Sequence, residues 1–431
     1  MIQALQLILA LAILVTIHEF GHFLAARMFN TKVERFFLFF DWPFALFKKK
    51  IGDTVWGIGV LPLGGYVKIA GMIDESMDKK QLEKPIENWE FRAKPAWQRL
   101  IIMIGGVVFN ILLAFIIYSC LLKKHGHSFI DNESLKHGLV FSETSKNIGF
   151  QDGDKIIAVD GENVKDFGAI WKNILLNEAS KITIERGGLK NDVFLKKDDR
   201  TSLLKDNIVP FSIALPCVID SFLENSTLKK EGLKIGDKII SINGESVLFG
   251  SNIAQIIKPF KSQNISCSVV RFNDTLSFDF TTLEVEFPLG VMWDEGFIKI
   301  KTEKYNLGQS VVMGFKRTFT VLFDYTKQFK LIKDSPESIG GFITIGKIFP
   351  SKWDWRVFWT MTAFLSVILA VINILPIPAL DGGHVMFLCY EMITGRAASK
   401  KVLEHAQVVG MIILFALIIW ANGNDIVRLF K

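Results

Sequence analysis

Apolar positions along the chain fall into four long runs. Between them the pattern shifts to alternation, to glycine-punctuated stretches and to charged segments. Ile2 to Ala26, Leu100 to Leu122 and Val357 to Leu375 each match the roughly 20 residues that carry a helix across a bilayer. Val408 to Ala421 is a fourth, shorter candidate. Met1-Ile2-Gln3 lacks the basic start of a cleaved signal peptide, so the first run is expected to remain as a transmembrane helix.

Between the first two runs, Trp56 to Ile69 is rich in β formers and interrupted by Gly57, Gly59, Gly64 and Gly65, the pattern of a short hairpin. It is too brief to span. A surface hairpin is one reading. Its apolarity points instead to a loop dipping to membrane depth, where protein or water must satisfy its backbone. Further on the chain repeats itself: Gly149 to Glu162 returns, 83 residues later, as Gly232 to Glu245. Each copy predicts a turn, a strand, an Asp-Gly or Asn-Gly hairpin turn, and then a helix (Phe167–Asn177 and Ser251–Lys258). Two copies of this size imply duplicated small β-rich domains rather than a solenoid. From Asn306 to Lys333, Val311, Val312, Phe315, Phe319, Leu322 and Phe323 recur at helical spacing. That stretch is an amphipathic helix lying on the membrane surface or against the core.

Composition changes this picture little. Half of the 431 residues are hydrophobic and 22% are charged, which fits a membrane protein with a sizeable water-facing insert. The net charge of +6 gathers beside the apolar runs and forms no basic stripe with aromatics, which argues against nucleic-acid binding. Arg27, Lys32, Arg35 and Lys48-Lys49-Lys50 follow the first run; Lys94 and Arg99 precede the second; Arg396, Lys400 and Lys401 follow the third. By the positive-inside rule these segments are cytoplasmic, which places the N-terminus and residues 123–356 outside. Cys120, Cys217, Cys267 and Cys389 show no Cys-x-x-Cys spacing. They argue against a thiolate metal site; Cys217 and Cys267 could pair if their domain is extracytoplasmic, but separate free thiols are expected.

Chemistry enters with His18-Glu19-Phe20-Gly21-His22, near the cytoplasmic end of the first run. Histidines four apart share a helix face at the spacing one Zn²⁺ bridges, and the intervening Glu19 is placed to act as base toward water. Polar groups in hydrocarbon are costly, so three within five residues call for a function. Such a site needs a third protein ligand. Asp381 is the natural donor, at the matching depth after Asn373-Ile374-Leu375-Pro376-Ile377-Pro378, whose prolines break the helix. Asp381 could instead cap the helix opened by Gly382, and His384 is a rival ligand. Asn373 could bond a substrate backbone or merely join two helices.

Taken in order, the His18–His22 motif, the Gly57-Ile58-Gly59 hairpin, the repeat and Asn373 to Gly383 resemble the site-2 proteases, a family of intramembrane zinc metalloproteases. The repeated Gly-(Leu/Phe)-x-x-Gly-Asp-x-Ile pattern is similar to that of PDZ domains. The resemblance implies a multi-pass α-helical membrane protein of about four transmembrane helices and a membrane-dipping β-hairpin, with two inserted extracytoplasmic PDZ-like domains. It implies Zn²⁺ held by His18, His22 and Asp381, with Glu19 as catalytic acid/base. Asn373 and Gly57, Ile58 and Gly59 would contact substrate. Its partners would be transmembrane protein substrates of the anti-sigma factor type, remnant signal peptides, membrane lipid and peptides in the PDZ-like grooves. The expected division is 1–122 for the first membrane part, 123–206 and 207–285 for the PDZ-like domains, 286–356 for a linker with the amphipathic helix, and 357–431 for the second membrane part. Two departures stand out. Gly105-Gly106-Val107-Val108-Phe109-Asn110 occupies the place of an Ala-Gly-Pro-x-x-Asn pattern, and its missing proline bears on helix geometry rather than on the metal. The segment before Gly149 is short, so the first groove is expected to be incomplete or closed. A catalytically inactive PDZ-bearing scaffold would not need His18, Glu19, His22 and Asp381 together, and a metal transporter would need polar residues spread along several spans.

Overall fold

The computed structural model describes residues 1–72, 85–205, 210–224, 226–260, 263–281, 289–332 and 340–430. The chain divides into two compact units, Met1–Gly126 with Lys304–Lys431, and His127–Glu303.

The first unit is helical. Its longer elements are α1 (Ile2–Met28), strands β1 (Val33–Ile51) and β2 (Thr54–Ile69), α2 (Ala96–His125), α3 (Leu307–Ile332), α4 (Trp355–Ile374), α5 (Asp381–Thr394) and α6 (Lys400–Phe430). Among the described residues, α1, α2, α4 and α6 are long and apolar enough to cross a membrane. These are the four runs of the sequence, and the fourth is longer than its apolar centre indicates. The most apolar helix, α2, is central and packs against α1, α3, α4 and α5. It runs unbroken through Gly105 to Asn110.

The hairpin is larger than its sequence signal. Trp56 to Ile69 is not a hairpin by itself but most of one strand, turned at Gly52-Asp53 onto β1. Both strands bend, so that their halves pair more than once: Phe36 lies between Val67 and Trp56, and Gly57 between Phe37 and Lys48. The aromatic-rich β1 lacks the alternation that announces a strand, because aromatic side chains occupy both of its faces. Helix α3 resolves the two readings of the amphipathic stretch. Val321, Leu322, Tyr325 and Phe329 pack on α2 and α4, whereas Val311, Val312, Phe315 and Phe323 form an exposed apolar stripe. Lys333 lies outside the described residues.

The second unit carries the repeat as two copies with matching element order. In the first, strands run Glu162–Asn163, Lys155–Val159, Lys181–Arg186 and Leu189–Phe194 across an antiparallel sheet, with helix Phe167–Leu175. In the second they run Glu245–Ser246, Lys238–Ile242, Asn264–Arg271 and Asp274–Thr281, with helix Gly250–Ile257. Both hairpin turns have the positive φ pairs of a type I′ turn: Asp160 48° and Gly161 86°, Asn243 47° and Gly244 80°. Each copy also has a short outlying pair, Leu139–Phe141 with Phe211–Ile213 and Ile219–Phe222 with Val291–Trp293. In addition, His127–Ile130 pairs with Ile300–Glu303. Structure thus extends past residue 285 into the stretch expected as linker, because three- and four-residue strands are too short to show a period. The expected boundary at 206–207 lies outside the described residues. Cys217 and Cys267 are free thiols in the second core, and burial pushes both up to about 12.

Candidate metal centre

Helix α1 needs two things to carry a site at residues 18 to 22: both imidazoles on one face, and a neighbour that leaves them room. The i, i+4 spacing gives the first. Glycines give the second. A Cβ on Gly21 would fall onto the Gly105 backbone, and one on Gly105 onto Gly21, so α1 and α2 cross with their backbones in contact. A Cβ on Gly106 would collide with both rings. The rings meet edge to face with centroids 4.8 Å apart, and His18 and His22 are 7% and 5% exposed.

Asp381 arrives from the other end of the chain. Helix α4 stops at Ile374, the chain turns through Pro376 and Pro378, and α5 begins at Asp381. Gly382 and Gly383 pack on the backbone of residues 374–378, where a Cβ at either position would clash. Asp381 opens its helix without capping it; the N-cap is Leu380, which makes no side-chain bond. Its Oδ2 lies instead 3.1 Å from His18 Nε2 and 3.2 Å from His22 Nε2, and the two Nε2 atoms are 3.2 Å apart.

Three donors at these separations are close to the ~3.3 Å edge of a tetrahedron with metal bonds of about 2.0–2.1 Å. Asp381 Oδ2 is buried and makes no regular hydrogen bond. His22 Nδ1–H donates to the Ile102 carbonyl at 2.8 Å, which leaves Nε2 as a lone pair toward the other donors. An orphaned carboxylate oxygen, two converging imidazole nitrogens and this outer hydrogen bond fit zinc. Among the described residues, His18, His22 and Asp381 form the group able to hold a metal, and His384 is not part of it. Asn373, on the last turn of α4, places Nδ2 3.2 Å from His18 Nε2. Glu19, next to His18 on α1, is half-buried.

Gly57, Ile58 and Gly59 do not join this cluster. They lie inside the sheet, flanked by Phe37 and Leu38 on one side and by Ala45, Phe47 and Lys48 on the other. Sequence reasoning had no place for the Ile102 carbonyl, which carries no side-chain signal. It also gave Asn110 only a part in helix geometry, although its Nδ2 stands 3.2 Å from His18 Nδ1. A fully buried amide in an apolar span was the available clue.

The profile of peptidase family M50 matches residues 6–417. The chain belongs to peptidase family M50. Over 436 residues, covering 100% of both chains, this M50 peptidase is 31% identical to a Rickettsia conorii protein named as a zinc metalloprotease. It is 28% identical over 457 residues, 98% of each chain, to the regulator of sigma-E protease RseP of Escherichia coli. To the regulator of sigma E protease of Haemophilus influenzae it is 27% identical over 459 residues, 98% of each. This M50 peptidase is a site-2-type zinc metalloprotease.

Proposed function

We propose that this enzyme hydrolyses peptide bonds within transmembrane segments of single-span proteins of the anti-sigma factor type, and within remnant signal peptides, as the second cut of regulated intramembrane proteolysis. The observation that carries the reading is the convergence of His18 and His22, on a helix long and apolar enough to cross a bilayer, with Asp381, which follows a second such helix after the proline turn. In this reading those three residues hold the zinc. When bound, zinc supplies Lewis-acid polarisation of the scissile carbonyl and makes water a nucleophile near neutral pH. Glu19 takes the proton from the attacking water and passes it to the leaving amine. The Asn373 amide, 3.2 Å from the ligating ring, donates to substrate backbone or to the oxygen that gains charge.

A helical substrate shields its peptide bonds and must unwind first. The β1–β2 sheet offers replacement hydrogen bonds by strand addition. Gly57, Ile58 and Gly59 serve that step from within the sheet. Side chains at Gly57 and Gly59 would strike Phe37 and the Phe40 backbone, so these glycines let the bent strands lie close while an edge receives the substrate. The enzyme sits in a bacterial cytoplasmic membrane with its active site near the cytoplasmic side. Residues 127–303 are extracytoplasmic, periplasmic in a Gram-negative cell, and surrounding lipid contacts the exposed stripe of α3. The two copies act as PDZ-like modules that restrain substrates with bulky outer domains. In the first, Phe211 sits against Phe167 and Trp171 with centroids 6.0 Å apart in both cases, which supports a filled groove; peptide binding is assigned to the second.

Glu19→Gln tests the assignment. The variant is expected to fold and to keep one zinc per chain while cleavage of a single-span substrate in detergent or proteoliposomes falls by roughly 10³-fold or more. Ordinary turnover by this variant would remove Glu19 from the mechanism.

A further inference from the structure

Asn110 has no part in the reading above, and its surroundings are unusual. It is 0% exposed in the apolar helix α2, where an amide is expensive to bury. The contact between α2 and α4 at this level is made by the Asn110 backbone carbonyl, which accepts from Ser366 Oγ at 2.7 Å. The side chain is therefore not needed for that link. Its amide points at His18 Nδ1 from 3.2 Å, and its Oδ1 is buried without a partner.

Hydrogen-bond logic decides what the amide does. A neutral imidazole has one N–H and one lone pair. The amide nitrogens of Asn110 and Asn373 each lie 3.2 Å from one of the two ring nitrogens of His18, and both cannot donate to that ring. Nε2 is the atom that converges with His22 and Asp381, so Nε2 carries the lone pair and Nδ1 the proton. An N–H at Nδ1 needs an acceptor. Half a turn about the Cβ–Cγ bond brings the otherwise orphaned Oδ1 into that place. This exchange leaves the amide NH₂ in the pocket that Oδ1 held, and it removes a donor facing a donor beside the metal ligands.

We propose that Asn110 is a positioning residue: its side-chain oxygen accepts from His18 Nδ1–H and fixes the ring with Nε2 aimed at zinc. The inference rests on the ligand assignment above. It gives α2 a matched pair of tasks, since the Ile102 carbonyl already does the same for His22 at 2.8 Å. Gly105 and Gly106 lie between these two acceptors and let α2 approach closely enough for both to reach.

The test is zinc affinity of the purified full-length protein in competition with a chromogenic chelator. Wild type is compared with Asn110→Asp, which keeps an acceptor, and with Asn110→Leu and Asn110→Ala, which have none. Both apolar variants are expected to bind zinc 10–100-fold more weakly. Asn110→Asp should stay within about threefold of wild type or bind more tightly, since a charged acceptor strengthens the bond to the ring N–H. Thermal unfolding of the metal-free forms identifies any variant that has lost its fold; should Asn110→Leu fail there, Asn110→Ala and Asn110→Asp decide. Zinc held equally well by the apolar variants overturns the proposal, as does an equal loss in Asn110→Asp. A wild-type protein that binds no zinc would instead overturn the ligand assignment itself.

Discussion

Asp237 and Asp381 are both carboxylates withdrawn from solvent, and their surroundings differ in kind. Asp237, with its side chain 1% exposed, accepts two bonds from Arg271 at 2.7 Å each and one from the Lys234 N–H at 2.8 Å. The first copy of the repeat builds the same clamp from Asp154 and Arg186, also at 2.7 Å. Asp381 has two imidazoles where a guanidinium would stand, and one of its oxygens makes no hydrogen bond. Folding alone completes the first kind of carboxylate. On the proposed ligand set the second is completed by zinc, and that dependence would separate a structural group from a working one even though both are buried acids.

The comparison breaks most sharply at Asp381. Asp381→Asn is expected to remain folded, to lose stoichiometric zinc and to cut a single-span substrate roughly 10³-fold more slowly or not at all, as read by metal analysis and a cleavage assay. Gly106→Ala touches no ligand atom chemically but pushes a methyl group between the rings; zinc affinity should fall by about tenfold or more in the same chelator competition. Asp237→Asn leaves zinc binding unchanged and lowers the stability of the second copy by about 2 kcal/mol, since Arg271 loses its bidentate partner. Thermal unfolding of the whole protein reads this loss, and its pH dependence sharpens it. Burial pushes the Asp237 carboxyl up, but the Arg271 hydrogen bonds, the Lys234 N–H and the nearby positive charges outweigh this and hold it below the usual carboxylate range. A depressed folded-state value stabilises fully above the unfolded value of about 3.9, and the gain is lost as pH falls through the folded value. The gap between wild type and Asp237→Asn should therefore be constant from pH 7 to about pH 5 and shrink below about pH 4.

How much of this was legible in the sequence varied with the range of the interaction. The i, i+4 histidines, the apolar runs and the Asp-Gly and Asn-Gly turns are local signals, and each has its counterpart in the structure. Asp381 was within reach because a carboxylate beside helix-breaking prolines is conspicuous in an apolar segment. Strand β1 was not, since Phe36 to Phe40 and Phe44 to Phe47 show no alternation and their partners lie across a bent sheet. Val291–Trp293 and Ile300–Glu303 were hidden by their brevity. The support of the imidazoles was hardest to read: a backbone carbonyl at Ile102 and the missing side chains at Gly21, Gly105 and Gly106 act by position alone.

The helical unit draws on two stretches of sequence, Met1–Gly126 and Lys304–Lys431, and the proposed zinc ligands inherit that division. Residues 1 to 380 supply both imidazoles of the proposed zinc site but not Asp381, so that site lacks its third protein donor until α5 has been made. The proposed site is thus a late product of synthesis, complete only once α5 can pack beside α2.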